Sequence, residues 1–226
     1  MEIKKTIRKL IPEKLKNFIS YSEEQEYQRI SYSQYGEDLI INDLLNKEIG
    51  FYIDVGSFHP IKSSNTYYFY KKGWSGINIE PRSGSKELFD QYRPRDINLE
   101  IGVAETEERL MYNAYSEGRL NHFRKAKSDW DNLRTEYYIN VKPLEVLLDE
   151  FLPYPFNIDF ISIDVEGMEL TVLKSLNFER FRPEVVVVED HSFSFQEKSN
   201  VYSFLTARSY QLKAVGFNSL FFKRRE

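Results

Sequence analysis

Carboxylate side chains stand directly after several apolar segments of this 226-residue chain, often with a glycine close by. These groups are Asp54-Val-Gly56, Glu80-Pro81, Asp164-Val-Glu-Gly167 and Glu189-Asp-His191. A carboxylate at the end of a buried segment is unfavourable unless something hydrogen-bonds to it, so a bound ligand is the natural explanation. The chemistry that fits these groups is the binding of hydroxyls and amines and the transfer of a proton.

Two of these groups suggest a nucleoside cofactor. Gly56 lets the backbone approach a bound group, and an acid placed like Glu80 accepts hydrogen bonds from both ribose hydroxyls. A dinucleotide requires the pattern G-x-G-x-x-G, but the loop here is Gly56-Ser-Phe-His-Pro-Ile61, with a single glycine. S-adenosyl-L-methionine (SAM) has no phosphate, and its ammonium group could pair with Asp54 or Asp164. The missing glycines therefore favour SAM over a nicotinamide dinucleotide.

The catalytic residues that we predict are Asp164, Glu166 and His191. An alcohol is a poor nucleophile at neutral pH, so a base within hydrogen-bond reach accelerates its methylation. The same residues, with Asp190, could instead gather a divalent cation that acidifies a sugar hydroxyl. We expect no metal, because acid clusters rich in oxygen also arise from cofactor binding alone.

Four motifs in this order resemble the FkbM family of SAM-dependent methyltransferases. They are Ser33-Gln-Tyr-Gly-Glu-Asp38, Asp54-Val-Gly-Ser-Phe-His-Pro60 with Ser64-Asn-Thr66, Gly73-Trp-Ser-Gly-Ile-Asn-Ile-Glu-Pro81 and Ser162-Ile-Asp-Val-Glu-Gly-Met-Glu169. The resemblance covers about residues 33–190 and implies a class I methyltransferase fold that methylates a hydroxyl, commonly of a sugar or a polyketide-type compound. It also implies that Asp54, Gly56 and Glu80 line the cofactor site, with Asp164 and Glu166 at the reacting end. The acceptors of the family vary, so it implies no particular substrate.

The remaining predicted site residues lie in these motifs, at strand ends or in residues 104–140. The full predicted cofactor set is Gln34, Gly36, Asp54, Gly56, Ser57, Glu80, Pro81, Gly102 and Val103. The aromatic and basic side chains of residues 104–140 suggest an acceptor lid, because aromatic rings stack on sugars and arginines bind phosphate. An ordinary insertion or a dimer contact is the alternative. The predicted substrate-binding residues are His59, Tyr115, Arg119 and His122.

These residues need a parallel sheet to bring them together, and the pattern of the chain predicts one. Apolar segments at 51–55, 77–80, 97–101, 160–164 and 185–189 alternate with amphipathic segments of helical spacing, and residues 210–215 and 219–223 form a closing hairpin. The predicted fold class is α/β, with a mostly parallel seven-stranded sheet, helices on both faces and a C-terminal antiparallel hairpin. The resemblance to the FkbM family implies that this sheet is that of a Rossmann-like class I methyltransferase. The carboxyl ends of parallel strands meet at one edge, where ligands bind.

The chain organisation follows from charge and hydropathy. Residues 1–20 are basic and amphipathic, and we expect a helix that packs on the domain, with weak membrane-surface contact as the alternative. We predict residues 1–32 as this N-terminal extension. Residues 33–226 then form a single methyltransferase domain, with an irregular acceptor lid at about 104–140.

Composition narrows the class of protein. The absence of cysteine excludes disulfides, thiolate metal sites and thiol nucleophiles, and the net charge of −4 disfavours nucleic acid as a partner. No apolar run is long enough to cross a membrane and no secretory signal is recognisable, so we expect a cytoplasmic protein. The expected partner is a small-molecule or glycan acceptor, with a nucleotide- or phosphate-linked form and a homo-oligomer both left open.

Two other functions remain open from the residues alone. One is an NAD(P)-dependent oxidoreductase on a Rossmann sheet, and the other is a non-catalytic binding or scaffold relative of the methyltransferase fold.

Overall fold

The computed structural model describes residues 12, 28–115, 123, 133–152 and 157–225, and the account below concerns the compact unit Ser31–Glu226. Its strands are β1 Phe51–Val55, β2 Ser75–Ile79, β3 Ile97–Leu99, β4 Gly102–Val103, β5 Glu108–Tyr115, β6 Leu133–Lys142, β7 Phe160–Ile163, β8 Val185–Glu189, β9 Tyr210–Val215 and β10 Ser219–Arg224. Its helices are α1 Glu37–Leu45, α2 Tyr67–Lys71, α3 Ser85–Tyr92, α4 Leu144–Phe151, α5 Glu169–Lys174 and α6 Asn200–Thr206. The predicted N-terminal helix, Arg119 and His122 lie outside the described residues.

Seven strands form the main sheet, in the order β3-β2-β1-β7-β8-β10-β9. The neighbours from β3 to β8 pair in parallel, whereas β10 is antiparallel to both β8 and β9. The predicted fold class is therefore confirmed, including the closing hairpin. The strand order reverses between β1 and β7, and a parallel sheet leaves a crevice beyond the carboxyl ends of its strands at such a point.

Side chains alternate along each central strand, so the sheet has an apolar layer on both faces. Val186 and Val188 of β8 belong to one core cluster, together with residues of α4, α5 and α6. Val185 and Val187 belong to the other, which includes Ile41 of α1 and Phe69 of α2. Strands buried on both faces read as continuous apolar runs, which is why the sequence predicts these strands well.

The expectation of an irregular lid at 104–140 is wrong for a large part of that segment. Strands β5 and β6 form a long antiparallel hairpin, and β6 also pairs with β4 to give a second sheet in the order β4-β6-β5. Strand β5 begins with exposed polar residues and buries Tyr112 and Tyr115 only towards its end, so the sequence lacks a clear period-two pattern. The sequence also suggests one short strand at 109–113, and these residues lie within β5.

The described helices do not include one that is long and apolar enough to cross a membrane.

Candidate active site

A cavity of about 360 Å³ lies at the carboxyl ends of the strands, next to the point where the strand order reverses. Nine of the predicted site residues line it, namely Gln34, Asp54, Gly56, Ser57, Glu80, Pro81, Asp164, Glu166 and His191. Its volume is within the range of small-molecule sites, and its walls are half polar. The cavity has acidic groups at the ends of β1, β2, β7 and β8, so it suits a ligand that offers hydrogen-bond donors.

The first strand ends in Asp54, which is almost fully buried. The Thr66 hydroxyl donates a hydrogen bond of 2.6 Å to Asp54 Oδ2. Burial raises the pKa of Asp54 to about 6, although the Thr66 hydrogen bond and the positive charge of Arg93 act to lower it. Asp54 is therefore mostly ionised at neutral pH and presents a fixed negative charge beneath the cavity.

Gly56 is required where the chain leaves β1. Its φ of +80° lies in the left-handed region, and a Cβ there would be 1.7 Å from the carbonyl oxygen of Asp164. The loop after β1 thus packs directly against the loop after β7, which only glycine permits. Gly56 fixes the separation of these two loops and so the floor of the cavity.

The Glu80 carboxylate lies at the end of β2 in a ring of donors. Its Oε2 accepts a hydrogen bond of 2.8 Å from the Phe58 amide, and its Oε1 accepts one of 3.0 Å from the Arg82 amide. The Tyr112 hydroxyl from β5 is 3.5 Å from Oε1. Burial raises the pKa of Glu80, and these donors act in the opposite direction. The ring of donors fixes the orientation of the carboxylate towards the cavity.

Three carboxyl groups meet at the other end of the cavity. Asp164, Glu166 and Glu189 offer oxygens that all lie within 4.8 Å of one another, a spacing that a divalent cation could bridge. The Asp164 side chain is open to the cavity but is closely surrounded by protein. This environment, with the negative charges of Glu189 and Glu166, raises the pKa of Asp164 well above its usual value.

Glu189 shares a hydrogen bond with Asp164, and its side chain is only 11% exposed. Burial, followed by the negative charges of Glu166 and Glu169, raises the pKa of Glu189 to about 7. Its Oε1 is 3.2 Å from His191 Nε2. Two carboxyl groups in contact titrate as a pair, and with the pKa of Glu189 raised to about 7 this pair can accept a proton from a bound hydroxyl near neutral pH.

The loop between β7 and α5 is held in an unusual conformation. Glu166 has a φ of 53°, in the left-handed region, and Gly167 follows with a φ of 95°. The buried Glu169 carboxylate accepts hydrogen bonds from the amides of Val165, at 3.3 Å, and Gly167, at 2.7 Å. Backbone strain that is held in place by such bonds is common at functional sites. Glu169 thus orients the loop that carries Asp164 and Glu166.

Gln34 reaches the cavity from the segment before α1, which is organised around the fully buried Asp38. The hydroxyls of Ser31 and Ser33 donate to Asp38 Oδ1, and the Tyr32 amide donates to Asp38 Oδ2. The acid at the end of the first motif therefore shapes the segment that places Gln34.

Several predicted residues do not line the cavity. Gly36, His59, Gly102, Val103 and Tyr115 lie outside its lining. His59 Nδ1 accepts hydrogen bonds from the amides of Ile61, at 3.0 Å, and Lys62, at 3.1 Å, so its imidazole stabilises the turn after β1. A Cβ on Gly102 would lie 2.6 Å from the Phe123 ring, so this glycine allows Phe123 to pack beside the cavity.

The lining also includes residues that were not predicted from the sequence, namely Phe58, Ser63, Ser64, Asn65, Tyr112, Phe123, Ser162, Val165, Glu189 and Asn218. Glu189 had a signal, since it ends an apolar strand, but the prediction favoured His191 two residues later. Asn65 donates a hydrogen bond of 3.0 Å to Ser162 Oγ and reaches the site through tertiary packing, which no sequence pattern marks.

A model of the family described as "Methyltransferase FkbM domain" matches residues 54–217, which include the cavity residues from Asp54 to His191. No curated protein gives a significant match.

Solved structures with a related fold are methyltransferases of low sequence identity. A TehB-like SAM-dependent methyltransferase from Corynebacterium glutamicum is 11% identical, with 93% of this chain and 97% of that chain covered and a TM-score of 0.46. The 1,6-didemethyltoxoflavin-N1-methyltransferase of Burkholderia thailandensis, solved with 1,6-didemethyltoxoflavin and S-adenosylhomocysteine, is 9% identical, with 100% and 90% covered and a TM-score of 0.45. A precorrin-6y C5,15-methyltransferase from Geobacter metallireducens is 10% identical, with 82% and 84% covered and a TM-score of 0.42.

Proposed function

Because the chain belongs to the FkbM family of SAM-dependent methyltransferases, we propose that it methylates a hydroxyl group of a carbohydrate or a related small molecule. The observation that carries this proposal is the acidic cluster in the cavity, where carboxyl oxygens of Asp164, Glu166 and Glu189 lie within 4.8 Å of one another. Burial and the neighbouring charges raise the pKa of Glu189 in this cluster to about 7. A base of this pKa suits a hydroxyl acceptor, which must lose a proton as its oxygen is methylated.

The residues at the ends of β1 and β2 fit SAM. The Glu80 carboxylate, held by two backbone amides, accepts hydrogen bonds from the ribose hydroxyls. The Ser57 hydroxyl is buried and has no hydrogen-bond partner within the described part of the chain, so a bound polar group would satisfy it. Asp54 is the better partner for the ammonium group, because its pKa is raised only to about 6, whereas the pKa of Asp164 is raised well above its usual value. When bound, SAM supplies a methyl group on a positively charged sulfur.

The acidic end of the cavity handles the acceptor. Glu189, with Asp164, accepts the proton of the acceptor hydroxyl, and His191 lies beside Glu189 as a second group that can hold or release it. Glu166 is fixed by its loop next to this pair and accepts a hydrogen bond from a neighbouring hydroxyl of the acceptor. The proposed catalytic residues are therefore Asp164, Glu166, Glu189 and His191. The proposal involves no metal ion.

Calorimetric titration with SAM tests the cofactor site. We expect Glu80→Ala to weaken SAM binding about 10- to 100-fold, because it removes hydrogen bonds to a charged group. Glu87→Ala, an exposed acid on the neighbouring α3, is the matched control and should bind SAM normally. Asp164→Asn should bind SAM within about threefold of wild type but transfer little methyl, since positioning remains while proton transfer is lost.

The reaction itself is tested by transfer of labelled methyl from SAM to a panel of methyl glycosides, with the new O-methyl group identified by NMR. A folded protein that does not bind SAM would overturn the proposed function. A labelled methyl found only on nitrogen, with an amine panel run in parallel, would overturn the hydroxyl acceptor.

A further inference from the structure

Two exposed aromatic side chains form a pair, and each is adjacent in the chain to a residue that lines the cavity. The ring centroids of Tyr35 and Phe217 are 4.6 Å apart and their planes are tilted by 38°. Tyr35 is 49% exposed and Phe217 is 77% exposed. Single exposed apolar side chains are ordinary, but paired rings present a continuous apolar surface that suits a ligand.

The chain neighbours of both rings connect this pair to the cavity. Gln34 precedes Tyr35, Asn218 follows Phe217, and both of these residues line the cavity together with His191. The Asp190 amide donates a hydrogen bond of 2.8 Å to the Asn218 carbonyl, so the β9–β10 turn is held against the end of β8. The rings therefore lie next to the strand end that carries Glu189.

The pair is held from both sides before any ligand binds. Gln34 Nε2 donates a hydrogen bond of 3.0 Å to the Tyr35 hydroxyl, and the Tyr35 amide donates one of 2.8 Å to Glu37. On the other side, the Gly216 amide donates one of 2.7 Å to the Ser219 carbonyl and closes the turn that carries Phe217. A surface that is already ordered loses less entropy when it binds a ligand.

The chemistry of these groups selects a class of ligand. Aromatic faces stack on the C–H face of a sugar ring, and amide and carboxylate oxygens accept hydrogen bonds from its hydroxyls. The neighbouring acids Asp164, Glu166 and Glu189 repel a negatively charged ligand. We propose that the Tyr35–Phe217 pair is the binding platform for the ring of the acceptor, and that this acceptor is an uncharged polyhydroxylated ring rather than a phosphate- or nucleotide-linked one. This inference rests on the proposed function.

Ligand-detected NMR tests the platform without turnover. The protein is saturated with S-adenosylhomocysteine, and saturation transfer to the methyl glycosides of glucose, galactose and rhamnose is measured, with galactose 6-phosphate as the charged probe. We expect an uncharged glycoside to bind the wild type and to bind Phe217→Ala about tenfold more weakly, because a stacking surface is lost. Phe217→Trp should retain binding.

Tyr92→Ala is the matched control, because Tyr92 is similarly exposed, at 45%, but ends α3, which leads into the opposite end of the strands. It should bind glycoside as the wild type does, and every variant should bind S-adenosylhomocysteine normally. Three outcomes would overturn this inference alone. The wild type could bind S-adenosylhomocysteine but no uncharged glycoside, Phe217→Ala could bind the glycoside as tightly as the wild type does, or the protein could prefer galactose 6-phosphate to the uncharged glycosides. A protein that binds neither SAM nor S-adenosylhomocysteine would overturn the proposed function as well.

Discussion

Glu189 shows how far the role of one residue can be predicted from its position in the sequence. Its place after an apolar strand predicts that it lies at the ligand edge of the sheet, and it does. Which of the strand-end groups acts as the base depends on burial and neighbours. The His191 side chain is 64% exposed, whereas that of Glu189 is 11% exposed and touches a second carboxyl group. The sequence contains both residues but does not show the enclosure that raises the pKa of Glu189.

The pH dependence of turnover tests this assignment. In the wild type, kcat should fall as the pH drops through about 7, because the Asp164–Glu189 pair becomes fully protonated and cannot accept a further proton. Glu189→Gln should lose the inflection near pH 7 and reduce kcat about 100-fold at pH 8. Steady-state rates from pH 5.5 to 9, with SAM saturating at each pH, give the profile. Glu197→Gln, which replaces an exposed acid in the segment before α6, should retain the wild-type curve. An unchanged profile in Glu189→Gln would assign the base elsewhere.

At the scale of elements, local patterns predict the main sheet but not what fastens the site loops to it. The strands and helices of the α/β alternation are buried on predictable faces. The β5–β6 hairpin is not predicted as part of a second sheet, because exposed and buried residues do not alternate regularly along β5. Arg93 gives no sequence signal either, yet its side chain is fully buried after α3. It donates hydrogen bonds to the Pro60 carbonyl, the Ser64 and Thr66 hydroxyls and Asn78. Arg93 thus ties the loop after β1 to β2.

Replacement of Arg93 should therefore affect both stability and the site. We expect Arg93→Met to lower the free energy of unfolding by about 3–5 kcal/mol, because it leaves several buried acceptors and the nearby Asp96 without their partner. Arg93→Lys should recover little, since an ammonium group cannot reproduce the planar fork of donors. Urea unfolding measures the free energy of unfolding of both Arg93 variants. Arg180→Met, which removes an exposed ion pair with Asp149, should change stability far less. If Arg93→Met and Arg180→Met lowered the free energy of unfolding by similar amounts, the buried network around Arg93 would be unimportant for stability.

At the scale of the whole molecule, the strand order determines where the site must be. The site in turn lowers the free energy of unfolding of the protein. Alternating strands and helices predict a cavity beyond the carboxyl ends of the strands, and the cavity is there. What the pattern does not give is the electrostatic state of the acids once they are brought together. Burial raises the pKa of Asp54, Glu80, Asp164 and Glu189, so the folded chain holds protons that the unfolded chain releases. Activity near neutral pH therefore opposes stability, as is common at active sites.

The sign of this effect can be worked out and measured. A carboxyl group whose pKa is raised by folding contributes stability at low pH that is lost as the pH rises from its unfolded to its folded pKa. The unfolding free energy of Asp164→Asn minus that of the wild type should therefore increase between pH 5 and pH 8. The increase is at most about 1.4 kcal/mol per pH unit, and smaller because Asp164 is open to solvent in the cavity. Taking the difference cancels the opposite contribution of His59, whose pKa burial lowers.

Denaturant titrations of the ligand-free protein at pH 5, 6, 7 and 8 supply these free energies. Glu87→Gln, whose exposed carboxyl group belongs to α3, is the matched control, and its difference from the wild type should stay flat over the same range. A flat or falling difference for Asp164→Asn would mean that the carboxyl pair is ionised in the folded protein across this range. Asp164 would then be as suitable a partner for an ammonium group as Asp54, and Glu189 would not have the pKa expected of the base.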